Sequence, residues 1–187
     1  SLYGTLSVSP ENPYAGETVK LSFTPKSGHY LDYFCVDGAR IAGSSFTASG
    51  NHTVSAVTGG SEDAYAAGKI SDTMYWLIGS NGTLRFCGTG DAASAEPVWN
   101  TYSYSAVDVQ DGIRALPDGA FAEKTLTWIY LPASLRIGSG LFSGLTAERV
   151  YDADSKAQWD AAQTGLTAEL HYNVSSADAI CTLTLTQ

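Results

Sequence analysis

A block of sequence recurs once in the second half of this 187-residue chain. Val107-Asp-Val109 leads through Gly112-Ile113 to Ala120-Phe121, and Ile129-Tyr-Leu131 leads through Ser134-Leu135 to Leu141-Phe142. Val107 and Ile129 are 22 apart, as are Val109 and Leu131, whereas Phe121 and Phe142 are 21 apart, so the second copy has lost one loop residue. A unit this short cannot bury an apolar face alone, and it becomes stable only by stacking on its neighbours. In each copy the alternating pair, Val107/Val109 or Ile129/Leu131, points inward along a strand. A Gly or Pro then turns the chain, and Phe121 or Phe142 plugs the interior opposite. Val150 opens a degenerate third copy.

A stack also needs covered ends. Tyr75 to Ile78 and Thr83 to Phe86, joined through Asn81-Gly82, read as a hairpin capping one end. At the other end Leu166, Ala168, Leu170 and Tyr172 alternate, as do Leu183 and Leu185, so the 166–185 segment reads as a closing hairpin.

The first 58 residues read as a separate small β unit. Thr5 to Val8 alternates, Pro10 to Gly16 is turn chemistry, and Val19, Leu21 and Phe23 share one strand face. Leu31 to Val36 follows, then the tight-turn pair Asp37-Gly38, a return at Ala39 to Ala42, and a closing strand at Thr53 to Val57. The expected architecture is mainly β. A small β-sandwich or β-grasp-like domain spans 1–58, a linker covers 59–67, and a short leucine-rich-repeat solenoid with capping hairpins covers 68–187. A hydrophobic fraction of 44% is enough for such cores, and 19 glycines and 11 tyrosines against one methionine favour short strands and turns over long helices.

Two resemblances sharpen this. Val8-Ser-Pro10, Ala15-Gly16 to Leu21, Pro25 to Tyr30, Val36-Asp37-Gly38, Phe46-Thr47 and Val54 to Ala56 fall in register with a family of extracellular bacterial repeat modules. His29 intrudes before Tyr30, and Ala48 stands where methionine is usual. From Trp76 through Gly82-Thr-Leu84 to Gly88-Thr-Gly90, then Pro97-Val-Trp99 and the repeats, the chain resembles the BspA-like leucine-rich-repeat proteins of bacteria. Val150-Tyr151, Gln158-Trp159 and Leu166 to Asn173 match the way those arrays commonly end. The likeness covers about residues 68 to 174. It departs in having Gly68-Lys69-Ile70 where the family often carries Cys-Gly, with Cys87 on the other strand instead. The resemblances imply an extracellular or cell-surface location and a non-catalytic role in adhesion or protein recognition through the repeat surface.

Charge and chemistry narrow the partners. With 10 basic and 19 acidic residues, the net charge of −9 repels phosphate backbones and anionic headgroups, so nucleic acid and direct membrane insertion are not expected. No stretch approaches a membrane span, and the start at Ser1 reads as a processed or trimmed fragment. Cys35, Cys87 and Cys181 are far apart and lack zinc spacing; buried free thiols are the expectation. His29, His52 and His171 lie in separate elements, and no Gly-x-Ser-x-Gly elbow occurs, so no catalytic residues are assigned. Asp91, Glu96, Asp108, Asp111 and Asp118 leave a carboxylate-pair hydrolase formally open. Asp108/Asp111 and Asp152/Asp154 fit no calcium loop, and neither metal nor cofactor is expected.

The candidate binding residues are the aromatics ahead of the first repeat, Trp99, Tyr102 and Tyr104, with Tyr65 and Tyr75 nearby in sequence. The competing reading is that Trp99 closes the solenoid core. The expected partner is a host or bacterial surface protein or a glycan. A carbohydrate-binding accessory module of a larger extracellular enzyme and a pure spacer are the alternatives.

Overall fold

The computed structural model describes residues 3–162 and 164–175. Its first unit holds β1 (Gly4–Ser9), β2 (Thr18–Pro25), β3 (His29–Val36), β4 (Ala39–Arg40), β5 (Ser45–Thr47) and β6 (Val54–Gly60). These strands form two antiparallel three-stranded sheets, β1-β2-β5 and β4-β3-β6. Alternation explains the arrangement: Val19 and Leu21 on β2 face Phe34 on β3, with Ala48, and Leu6, Val8, Phe46 and Val54 pack around them. The unit is thus a β-sandwich, and among the described residues it contains no helix of the kind a β-grasp would need. Asp37 and Gly38 both take positive φ, 53° and 81°, which is the backbone of the tight turn expected at that pair.

The second unit opens with β7 (Ala64–Lys69), β8 (Met74–Gly79) and β9 (Thr83–Gly88), an antiparallel meander. The segment 59–67 is therefore strand at both ends, with only 61–63 between β6 and β7. Gly59-Gly60-Ser61 reads as a linker in sequence, and Ala-Tyr-Ala-Ala-Gly-Lys after it lacks the bulky branched residues that mark a strand. After β9 come β10 (Gly90–Asp91), a short 3-10 helix (Val98–Thr101), β11 (Ala106–Val109), β12 (Ile113–Ala115), β13 (Thr125–Leu131) and β14 (Thr146–Asp152). Helix α1 (Lys156–Ala162) and β15 (Glu169–Tyr172) follow. One seven-stranded sheet runs β15-β14-β13-β11-β9-β8-β7, parallel from β9 to β15. Five rungs therefore stack where sequence reading found two clear copies and a third.

The register shows why the outer rungs were hidden. Leu84, Val107, Ile129, Val150 and Leu170 are successive partners, spaced 23, 22, 21 and 20 residues apart. Each rung is one residue shorter than the last, so a fixed period loses them. The far side of each rung is turn, and it is laddered too: β10 pairs parallel with β12, and Arg136 N–H donates to Arg114 O at 2.9 Å. Ser134 Oγ accepts the Gly112 N–H and donates to Ile113 O, both at 3.0 Å, tying one turn to the next. Gly112 has φ 96°, and a Cβ there would come 2.8 Å from the Thr89 methyl, so the turn needs glycine.

Between strands and turns lies an aromatic column. Trp76 meets Trp99 edge-on, Trp99 meets Phe86 at 4.9 Å, and Phe86, Phe121, Phe142 and Trp159 continue the contact from rung to rung. Trp159 comes from α1 and fills the end beyond Phe142. The closing end therefore has a helix with no counterpart in the sequence expectations, and β15, the first arm of the expected 166–185 hairpin, pairs in parallel with β14 as a fifth rung. The second arm expected at Leu183 and Leu185 lies outside the described residues. No helix among the described residues is long and apolar enough to cross a membrane.

The two units meet along β3 and β7. Lys69 Nζ bridges Asp32 (2.6 Å) and Asp72 (2.8 Å), Arg40 binds Asp72 (2.8 Å), and Tyr30 stacks on Tyr75 at 5.6 Å. Burial together with Tyr75 and Asp32 pushes the Tyr30 phenol up to about 12. Phe121 is fully buried at the centre of the aromatic column. Phe121→Ala is expected to cost about 3–5 kcal/mol, a large part of a typical domain's stability, read as a lowered midpoint in urea and thermal unfolding.

Candidate functional site

Trp99 and Tyr104 do not reach the surface. Trp99 is 1% exposed, and its indole N–H donates to Ala120 O at 2.7 Å, so it closes the core of the first rung. Tyr104 is buried, its hydroxyl donating to Asn100 Oδ1 at 2.6 Å and Lys124 lying over its ring. Burial raises its phenol pKa. Tyr102 remains exposed, against Trp76 and near Tyr65, whose hydroxyl donates to Ser103 O. A large end residue was needed to keep water from a short stack, and Trp99 fills that need. Only one of the three aromatics chosen from sequence is thus available to a partner.

The outward face of the parallel sheet, part-exposed at Trp128, Tyr151 and His171, is the stronger candidate. Residues alternating with the inward ones point outward from successive rungs, and their register sets Arg85, Asp108, Tyr130, Tyr151 and His171 side by side. Beside that row run Ala106, Trp128, Arg149 and Glu169. Arg85 holds Asp108 at 2.8 Å, and Arg149 reaches Glu169 at 3.3 Å. Tyr151 and His171 stack at 4.9 Å with 21° between their planes. Tyr130 is buried in the middle of its row, while Trp128 and Tyr151 are partly exposed and Arg149 is exposed. The result is an aromatic strip with charged pairs at both ends, held on rungs that share backbone hydrogen bonds. Alternation around Ile129 and Val150 was the signal that could have found it.

The remaining candidates are spoken for. Cys35 and Cys87 are buried free thiols, and burial raises the Cys87 thiol, which disfavours a reactive thiolate. His29 stacks on Tyr3 at 4.5 Å. Asp91 pairs with Arg136, and Asp108 is spent on Arg85. Asp118 lies against the Gly138-Ser-Gly140 turn, where a Cβ on Gly140 would meet its carboxylate.

One grouping was invisible in sequence. His52 Nδ1 lies 2.7 Å from Asp37 Oδ2, and His52 Nε2 lies 3.3 Å from Ser49 Oγ. This has the outline of a serine–histidine–aspartate set, but Nε2 also accepts the Ser49 main-chain N–H at 3.0 Å. The lone pair a general base would use is engaged in holding a loop. Asp37 Oδ1 accepts the Thr53 N–H at 2.8 Å, so the group clamps residues 49–53 to the turn between β3 and β4.

The fold defines a class: a mainly β protein whose second unit is a short parallel solenoid. No protein-family model and no curated protein matches the chain. Among solved structures it is similar to a leucine-rich repeat protein from Eubacterium ventriosum, at 13% identity and a TM-score of 0.34. The likeness covers 56% of this chain and 43% of that one, so the chain spans less than half of its neighbour's length. The solenoid assignment itself rests on the parallel ladder.

The Thr53 hydrogen bond, then the His52 bond, holds the Asp37 carboxyl below its ordinary range. The folded protein therefore binds that proton less readily than the unfolded chain. The clamp's contribution is full above the ordinary carboxylate range and is lost as pH falls through the lowered value. Asp37→Asn is expected to lower the thermal midpoint at neutral pH, with the gap to wild type closing on acidification. A gap independent of pH would contradict the assigned role of the charge.

Proposed function

We propose that this chain is a non-catalytic recognition module of the BspA-like leucine-rich-repeat kind, part of a secreted or surface-anchored bacterial protein. It would engage a host or bacterial surface protein through the part-exposed outward face of its sheet. The observation that carries this reading is the set of part-exposed rings Trp128, Tyr151 and His171 on three consecutive rungs, flanked by the Arg85–Asp108 and Arg149–Glu169 pairs. Aromatics and arginines on a flat, pre-ordered surface are what protein-recognition sites concentrate. Preorganisation helps, because strands already fixed by their ladder lose little further entropy on docking. In this reading the N-terminal sandwich, pinned to the meander through Lys69 and Asp72, orients the solenoid relative to whatever precedes it.

The test is binding of the purified chain to an array of matrix proteins, mucins and glycans, with Tyr151→Ala, Arg149→Glu and Tyr102→Ala alongside. A saturable protein hit weakened about 30-fold or more by Tyr151→Ala and Arg149→Glu, but kept by Tyr102→Ala, is the expected result. Loss in Tyr102→Ala alone would move the site to the shoulder beside the 3-10 helix. A hit competed by free sugar and insensitive to salt would favour the carbohydrate-binding alternative, and a blank array the spacer.

A further inference from the structure

One rung breaks the apolar rule of the interior. Phe86, Val109, Leu131 and Tyr172 each occupy the second inward position of their strand, and on β14 that place belongs to Asp152. Asp152 pairs in register with Leu131 on one side and Tyr172 on the other, and it is 1% exposed. Its Oδ1 accepts the Asp154 N–H at 3.0 Å, while Oδ2 is buried with no hydrogen-bond partner among the described residues. The exit of the last rung hangs on the same turn, since Val174 N–H donates to Asp152 O and Asn173 N–H to Asp154 O.

We propose that Asp152 is a pH-sensitive latch on the C-terminal end of the solenoid. With its carboxyl neutral, the side chain packs between Leu131 and Tyr172 and β15 stays docked on β14. Ionised, it places an uncompensated charge in the core, and the last rung loosens first. Burying a lone carboxylate is far more costly than burying the acid. Among the described residues no cation is paired with it to offset that cost. In register it is flanked by Leu131 on β13 and Tyr172 on β15, its own turn brings the like charge of Asp154, and the one cation of α1, Lys156, interacts with the Tyr172 phenol. On α1, Lys156 and Asp160 are spent on each other at 2.7 Å. Arg149, Glu169 and His171 belong to the opposite face of the sheet.

The sign follows from burial, which raises the Asp152 carboxyl above its ordinary value against the opposing pull of the Asp154 N–H bond, with the Asp154 charge a smaller contribution in the raising direction. The folded state then holds this proton more tightly than the unfolded state. Destabilisation is complete above the raised value and disappears as pH falls into the ordinary carboxylate range. Asp37, Asp72 and Asp91 are shifted the other way, so only a comparison of wild type with an Asp152 variant isolates the latch.

Asp152→Asn keeps an acceptor for the Asp154 N–H and cannot ionise. Its thermal midpoint is expected to exceed that of wild type by about 2–4 °C near pH 8, the gap closing by about pH 4. Amide exchange in residues 169–172, referenced to β11 of the same molecule, is expected to slow in the variant at the higher pH. Parallel midpoint curves with a constant offset, or unchanged exchange, would overturn the proposal. A carbon-13 titration of the Asp152 carboxyl in the wild-type chain tests it without any variant. A midpoint well above about 4 supports the latch, and one at or below about 4 rules it out.

Discussion

Each parallel rung of this protein borrows its stability from the next. A strand of four to seven residues with a turn on its far side exposes unpaired backbone along both edges and an apolar row on one face. Neither can be satisfied within the unit. Stacking satisfies both at once, pairing Val107 with Ile129 and Ile129 with Val150 while Phe86, Phe121 and Phe142 fill the volume between strand and turn. The same dependence explains why the ends differ from the middle. An antiparallel meander reverses direction and closes one end, where Trp99 seals the interior. At the other end α1 supplies Trp159 in place of the next phenylalanine.

That constraint also decides what could be read in the sequence. Val107/Val109 and Ile129/Leu131 declare themselves because interior positions of a stack demand branched apolar residues at a fixed offset. The neighbouring rungs do not, because loops shorten by one residue per step, a change the stack absorbs in its turns and a period search does not. Ala64–Lys69 was missed for a related reason. Small residues let β7 pack closely, with the Trp76 indole against Gly68, and small residues carry little strand signal. The Asp37–His52 clamp and the Lys69–Asp32 bridge join residues 15 and 37 positions apart, and no local pattern encodes either.

The same logic governs the aromatics ahead of the first repeat. Trp99 drew attention as a large aromatic in a turn-rich segment, where an exposed site and a core plug look alike in sequence. Burial separates them. The part-exposed aromatics Trp128 and Tyr151 lie inside strands and alternate with the very residues that identified the repeats, so the period that located the core also carried the outward face, one position out of phase.

Rigidity is unevenly distributed as a result. The sandwich is bound to the meander by charged bridges and the Tyr30–Tyr75 stack, and the central rungs share hydrogen bonds on both the strand and the turn side. Toward the C-terminal end, the second inward position passes from Leu131 to Asp152, and the five-rung register ends at β15. Of the two residues on which the aromatic strip ends, Tyr151 sits on the strand that carries Asp152, and His171 on the strand beyond it. The outward face of the sheet therefore runs from the central rungs to the one in which Asp152 interrupts the apolar column. Any loosening around Asp152 reaches that surface directly, through the backbone that Tyr151 and Asp152 share.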